Sequence, residues 1–167
     1  SYSLHVKYDA KLDTYIDSLI TLIGKAQEPD GYLYTWRSIA ERQKKSGNAS
    51  ENGKNIANLS WLDGPRWQNE DKLSHELYCA GHLYEAAVAY FEATGKRNLL
   101  DIALKNANLI ANDFGAGKLV KAPGHQEIEL GLVKLYQTTK DKKWLDLAKF
   151  FIDVRGYVGH DFFGRFR

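Results

Sequence analysis

One cysteine, three prolines and no methionine are what this chain of 167 residues has least of. With Cys79 alone, an internal disulfide and a multi-cysteine zinc site built from this chain are both excluded. Methionine is missing even at position 1, so the sequence reads as a piece of something longer. No apolar run approaches the ~20 residues of a membrane span, and no signal peptide is visible. Charge of one sign is not in excess either. Lys and Arg number 23 against 21 Asp and Glu, a net +2, which leaves no basic field to displace counterions from a nucleic acid. With 44% hydrophobic and 26% charged residues, a disordered tail, a collagen-like fibre and a disulfide-framed miniprotein are excluded. One compact domain is expected, burying roughly 70% of its unfolded surface.

The apolar pattern has a helical period nearly throughout, and no segment reads as a strand. Over 9–26, Leu12, Tyr15, Ile16, Leu19, Ile20 and Ile23 form one stripe with Asp9 placed as N-cap, and Pro29-Asp-Gly31 supplies the turn that ends it. Residues 31–72 lose periodicity but carry Tyr32, Tyr34, Trp36, Trp61 and Trp67. Helices are expected over 74–94, with Ser74 as N-cap, and over 98–111, 124–139 and 142–154. A loop over 114–123 separates the second and third of these, and a Gly- and aromatic-rich tail follows from 156.

An internal repeat underlies this pattern. Tyr90-Phe-Glu-Ala-Thr-Gly-Lys-Arg-Asn-Leu-Leu-Asp-Ile-Ala103 matches Leu135-Tyr-Gln-Thr-Thr-Lys-Asp-Lys-Lys-Trp-Leu-Asp-Leu-Ala148, 45 residues apart, and Leu12-Asp13 echoes the Leu-Asp pair of each. The chain therefore reads as a lone second helix followed by two helical hairpins. Such units bury their faces only against neighbours, so the expected architecture is an arc of a larger helical array or toroid, poorly stable alone.

Two clusters could carry chemistry. In Ser74-His-Glu-Leu-Tyr-Cys-Ala-Gly-His82, residues His75, Tyr78, Cys79 and His82 share one helix face. They could bind a metal or position a sugar hydroxyl, although Cys79 and His82 are expected simply to pack inside. His75 differs because it opens a helix directly after a loop, where its ring can face a cavity. Pro123-Gly-His-Gln-Glu-Ile-Glu129 repeats that design with His125. Glu127 and Glu129 lie two apart and so point to different sides, which suits acidic residues stabilising a helix N-terminus. Two histidines at such junctions could line one rim of a toroid. The aromatic segment suits the C–H faces of sugars as well as it suits anchoring a long loop. A Ser-His-Asp triad, a phosphate-binding glycine motif and a zinc-protease motif are absent, and Gly115-Ala-Gly117 is too short for a nucleotide loop.

These stretches resemble glycoside hydrolase family 127, typified by β-L-arabinofuranosidase. The resemblance is carried by Gln27-Glu-Pro-Asp-Gly-Tyr-Leu-Tyr-Thr35, His75-Glu-Leu-Tyr-Cys-Ala-Gly-His82, Glu85-Ala-Ala87, Ala93-Thr-Gly-Lys96, Gly124-His-Gln-Glu-Ile-Glu-Leu130 and Leu145-Asp-Leu-Ala-Lys-Phe-Phe-Ile-Asp153, over about residues 1–156. It implies an all-α fold, with 1–167 a fragment of one (α/α)6 catalytic toroid and β-sandwich domains following in a longer bacterial protein. It implies a retaining mechanism in which a zinc-held cysteine thiolate replaces the usual carboxylate nucleophile, with a separate glutamate as acid/base. Those cysteines and glutamates belong to a part of the family's chain that residues 1–167 do not match, and Cys79 does not fit the nucleophile's motif. No catalytic residue and no metal ligand is therefore assigned here, and zinc is expected in the full-length protein with its ligands outside this chain.

The resemblance assigns His75 and His125 alone as substrate contacts; Gln27, Tyr34, Trp36 and Glu127 are candidates to line the same pocket. The expected partner is a carbohydrate, an L-arabinose-containing plant glycan, with no nucleic acid and no membrane. The alternatives are a non-catalytic carbohydrate-binding toroid and a helical scaffold for protein partners. Oligomeric state is open, and localisation is open between bacterial cytoplasm and periplasm.

Overall fold

The computed structural model describes residues 2–47 and 55–156, which form seven α-helices: α1 (Tyr2–Val6), α2 (Ala10–Ala26), α3 (Thr35–Ser46), α4 (Glu76–Thr94), α5 (Asn98–Asp113), α6 (Ile128–Thr139) and α7 (Lys142–Gly156). A 3-10 turn (Ser60–Leu62) and a π-turn (Glu70–Ser74) lie between α3 and α4. Among the described residues the fold is all-α, its only bridge being the isolated pair Phe114 and Leu119. Helices α4/α5 and α6/α7 are two hairpins packed side by side through α4 and α6, as in an arc of an all-α toroid. Their shared core is built from Leu77, Tyr84 and Val88 of α4, Leu100 and Ile110 of α5, Leu132 and Leu135 of α6, and Trp144 and Phe151 of α7. No helix among the described residues is long and apolar enough to cross a membrane.

Helix α2 starts where the sequence places it: Asp9 has extended backbone and its carboxylate accepts from the amides of Lys11 (2.9 Å) and Leu12 (3.1 Å). Its buried face is narrower than the apolar pattern suggested, with Leu12, Ile16, Ile20 and Ile23 against the core and Tyr15, Leu19 and Leu22 exposed. Polar anchoring makes up the difference. Asp13 is buried and accepts from Tyr90 Oη (2.8 Å), Tyr8 Oη (2.9 Å) and Lys96 Nζ (2.8 Å), and these donors hold its carboxyl below the ordinary range. The Leu-Asp echo is therefore a likeness of sequence only. Asp101 and Asp146 instead make exposed ion pairs with Arg97 and Lys142 one turn earlier.

The 45-residue repeat has a conformational basis. Helix α4 ends at Gly95 (φ 72°) and α6 at Lys140 (φ 61°), both left-handed. The preceding threonines repeat the same bonds. Thr94 Oγ1 donates to Tyr90 O and accepts from Lys96 N, while Thr139 Oγ1 donates to Leu135 O and accepts from Asp141 N. A lysine in glycine's conformation is strained. Lys140→Gly should therefore raise the unfolding free energy by about 0.5–1 kcal/mol in denaturant titration; a loss of stability would show that the second turn does not copy the first.

Three expectations need correction. The stretch 31–72 is not simply loop: α3 lies within it, without a hydrophobic period because, of its buried residues Arg37, Ser38, Ala40 and Gln43, only Ala40 is apolar. Helix α4 is not capped by Ser74. His75 occupies the cap position in left-handed backbone (φ 51°), and the carboxylate that takes up a free amide of the first turn is that of Glu70, from Leu77 N (3.3 Å). Helix α6 starts at Ile128, four residues later than the pattern suggested. Of the aromatic segment, Tyr32 and Trp67 are core anchors in a ladder that continues through Phe114 to Phe151, at centroid spacings of 5.4, 5.4 and 5.3 Å. The tail beyond Gly156 lies outside the described residues.

Candidate functional site

The two loop-to-helix junctions converge. The rings of His75, at the mouth of α4, and His125, in the turn before α6, lie 4.8 Å apart, and Tyr78, one turn into α4, places its ring 5.0 Å from His125. Tyr78 in turn meets His82 edge-on at 4.5 Å. His75 is half-buried and His125 exposed. The Nδ1 atom of His75 is buried with no hydrogen-bond partner. A non-glycine residue in left-handed backbone costs of order 1–3 kcal/mol, and such strain persists only where the surroundings enforce it.

Two buried carboxylates enforce it. Glu76, the first residue of α4, accepts from Tyr32 Oη (2.5 Å) and Ser74 Oγ (2.6 Å), with Arg37 Nε 3.7 Å away. Glu70 is fully buried and accepts from Leu77 N through Oε1 and from Gly124 N (3.0 Å) through Oε2. Burial, reinforced by the nearby charge of Glu76, pushes the Glu70 carboxyl up to about 7 against the opposing pull of those two amides and Lys121. Neither carboxylate has a sequence signature, since an isolated buried glutamate has no periodicity to reveal it.

Glu127 leaves the mouth in the other direction. Its Oε1 lies 3.0 Å from His82 Nδ1, while Glu85 pairs with Lys134 at 2.5 Å. Burial and the facing carboxyl of Glu85 raise Glu127, whereas Lys134 lowers Glu85. Glu129 points elsewhere, buried beside Arg155 at 3.3 Å. His82, Glu85 and Glu127 bring ligand atoms within 4.8 Å of one another, a spacing that could hold a metal ion. This donor set contains no thiolate and already has a lysine ammonium on one carboxylate, so it does not fit a thiolate–zinc centre.

Cys79 and His82 were expected to pack inside α4, and both are exposed instead, because the buried face of α4 runs through Leu77, Ala80, Gly81 and Tyr84. Cys79 opens onto a cleft of about 360 Å³ between α2, α3 and α4, shared with Tyr34, Trp36, Leu83 and Asn106. Burial and the charges of Glu76 and Glu70 raise its thiol, which disfavours the thiolate. Tyr34 is pushed up to about 12 by burial, and the exposed Trp36 leans on Trp61 at 5.7 Å. Gln27 spends its amide on main chain, donating to Gly31 O (3.1 Å) and Ile102 O (2.9 Å). The two histidines thus meet at one mouth, while Tyr34 and Trp36 line a separate cleft and Gln27 ties the turn before α3 to α5.

Side-by-side helical hairpins are the frame of an all-α toroid, and residues 1–161 match the family described as beta-L-arabinofuranosidase, GH127 catalytic domain; the chain belongs to that family. Among characterised relatives, a non-reducing end beta-L-arabinofuranosidase of Bifidobacterium longum subsp. longum is 40% identical over 158 residues, which are 93% of this chain and 21% of the relative. The crystal structure of a GH127 beta-L-arabinofuranosidase from Geobacillus stearothermophilus T6 is similar with a TM-score of 0.77 at 46% identity, covering 93% of this chain and 21% of that one. A second GH127 beta-arabinofuranosidase structure gives 0.80 at 45% identity, covering 95% and 23%. The chain therefore spans about a fifth of the length of these relatives.

Proposed function

We propose that this chain supplies part of the substrate pocket of a retaining β-L-arabinofuranosidase-like glycoside hydrolase acting on L-arabinose-containing plant glycans, with His75 and His125 as the sugar-binding pair. The observation that carries the reading is their convergence at 4.8 Å, beside a tyrosine and with His75 Nδ1 left without a partner. Neutral imidazoles offer one donor and one acceptor each, which suits adjacent hydroxyls of a furanose ring. Relatives at 40–46% identity named as beta-L-arabinofuranosidases support the substrate class. Glu127 backs His82 in this reading, and Tyr34, Trp36 and Gln27 shape the neighbouring surface.

The test is hydrolysis of an aryl β-L-arabinofuranoside by the full-length protein. His75→Ala and His125→Ala should each lower kcat/KM by about 10- to 100-fold, the scale of one lost hydrogen bond to a polar partner. Unchanged kinetics in both variants would remove the histidines from the pocket. Sugar binding without turnover by the wild-type protein would favour a binding domain. Zinc bound through residues outside 1–167 belongs to the same reading. Chelator-sensitive release would support it, and chelator-insensitive release would leave the pocket assignment standing without the metal.

A further inference from the structure

The spacing of the two histidines depends on how two loops separated by some fifty residues are held together: Lys121 ties the second to Trp67 O, Gln68 O and Asp71 of the first, and Glu70 is the side chain that reaches the main chain next to both histidines. We propose that Glu70 is a positioning residue for the His75–His125 pair. It touches both junctions with three different oxygens. Its main-chain carbonyl accepts the amide of His75 at 3.2 Å. Its Oε1 accepts the amide of Leu77 (3.3 Å), and its Oε2 accepts the amide of Gly124 (3.0 Å), the residue next to His125. The side chain is fully buried, so water cannot substitute for it as an acceptor at either amide. The contact is also close in the main chain, since a methyl placed on Gly124 would lie 3.0 Å from Asp71 O. The groups facing Glu70 are Glu76 at the start of α4 and Lys121 from the loop before α6, one of each sign.

A carboxylate suits this task and its amide does not. Both oxygens of Glu70 face N–H donors, so a glutamine would turn one NH2 group toward an amide that also donates. Aspartate keeps both acceptors but is one methylene too short to reach both junctions at once. The inference rests on the histidine pair being the sugar-facing pair, yet it has a readout that needs no sugar. Each imidazole sits within about 5 Å of another aromatic ring, so its Hε1 chemical shift reports the ring spacing.

The experiment compares full-length wild-type protein with Glu70→Gln and Glu70→Asp at one fixed pH, by NMR of the histidine Hε1 signals and by steady-state hydrolysis of the aryl arabinofuranoside. Expected is a shift of the His75 and His125 signals with that of His82 unmoved, and a rise in KM of about tenfold with kcat within a few-fold. Signals of His75 and His125 identical to wild type in a folded variant would overturn the proposal, as would a uniform shift that includes His82. Should Glu70→Gln not fold, Glu70→Asp keeps the charge and one of the two amide bonds, and is judged by the same signals. If wild-type protein releases no arabinose while the two signals still move together, the hydrolase reading fails and the role of Glu70 stands.

Discussion

Glu76→Ala should cost the fold about 3–5 kcal/mol, the scale measured when one partner of a buried ion pair is removed. Glu76 is 3% exposed and receives two short hydroxyl hydrogen bonds, from Tyr32 and Ser74. Beside it the Arg37 side chain is 2% exposed, with Nη1 donating to Gly64 O at 2.9 Å, Nε facing Glu76 at 3.7 Å, and neither Nε nor Nη2 in a hydrogen bond. Alanine would leave that guanidinium buried with, among the described residues, the half-exposed Glu41, 3.8 Å away, as counter-charge, and would orphan the Tyr32 hydroxyl. Urea unfolding of the wild type and variant measures the difference, and a loss below about 1 kcal/mol would mean that Arg37 finds water or another acceptor. The charge is the larger part of the effect. Arg37→Met combined with Glu76→Leu should therefore recover much of what Glu76→Ala loses, because an apolar pair of similar volume carries no desolvation cost. The functional consequence follows from position, since Glu76 is the residue directly after His75.

How much of this was legible beforehand depends on what each element buries. Helices α2 and α4 to α7 were visible because they cover apolar stripes such as Leu99, Ala103, Ala107 and Ile110. Helix α3 was not, because Arg37, Ser38 and Gln43 turn inward and a polar buried face has no hydrophobic period. The junction histidines were legible as residues after loops, whereas their meeting was not. That meeting rests on long-range contacts, such as Glu70 to Gly124, 54 residues away in the chain, and Lys121 to Trp67 O and Gln68 O, and bonds of that span leave no local pattern. Cys79 and His82 were misplaced for a related reason: four residues at helical spacing fix a face but not which way it points. The close passage of α4 against α6 is what turns Leu77 and Tyr84 inward and leaves Cys79 and His82 outside.

That passage can be tested with the smallest available change. A methyl placed on Gly81 would lie 2.6 Å from Glu127 O and 2.7 Å from Glu127 C, and one on Gly131 would lie 2.7 Å from Gly81 O. These obstacles are main chain, so no rotamer change relieves them, and α4 and α6 must separate. Helix propensity acts in the opposite direction, because alanine is favoured over glycine within a helix by about 1 kcal/mol. The sign of the measured effect therefore decides which term governs. We expect the clash to win, with Gly81→Ala and Gly131→Ala each losing about 1–2 kcal/mol net. Gly24→Ala in α2 is the matched control: its methyl would meet only the flexible tip of Ile102, 3.3 Å away, so it should be neutral or gain up to about 1 kcal/mol. Because Gly81 presses on Glu127, two residues beyond His125, Gly81→Ala should also weaken sugar binding at temperatures where the protein remains folded, and Gly24→Ala should not. Equal stability of Gly81→Ala and Gly24→Ala would mean that the two helices do not meet backbone to backbone, and the mouth that brings His75 to His125 would need another support.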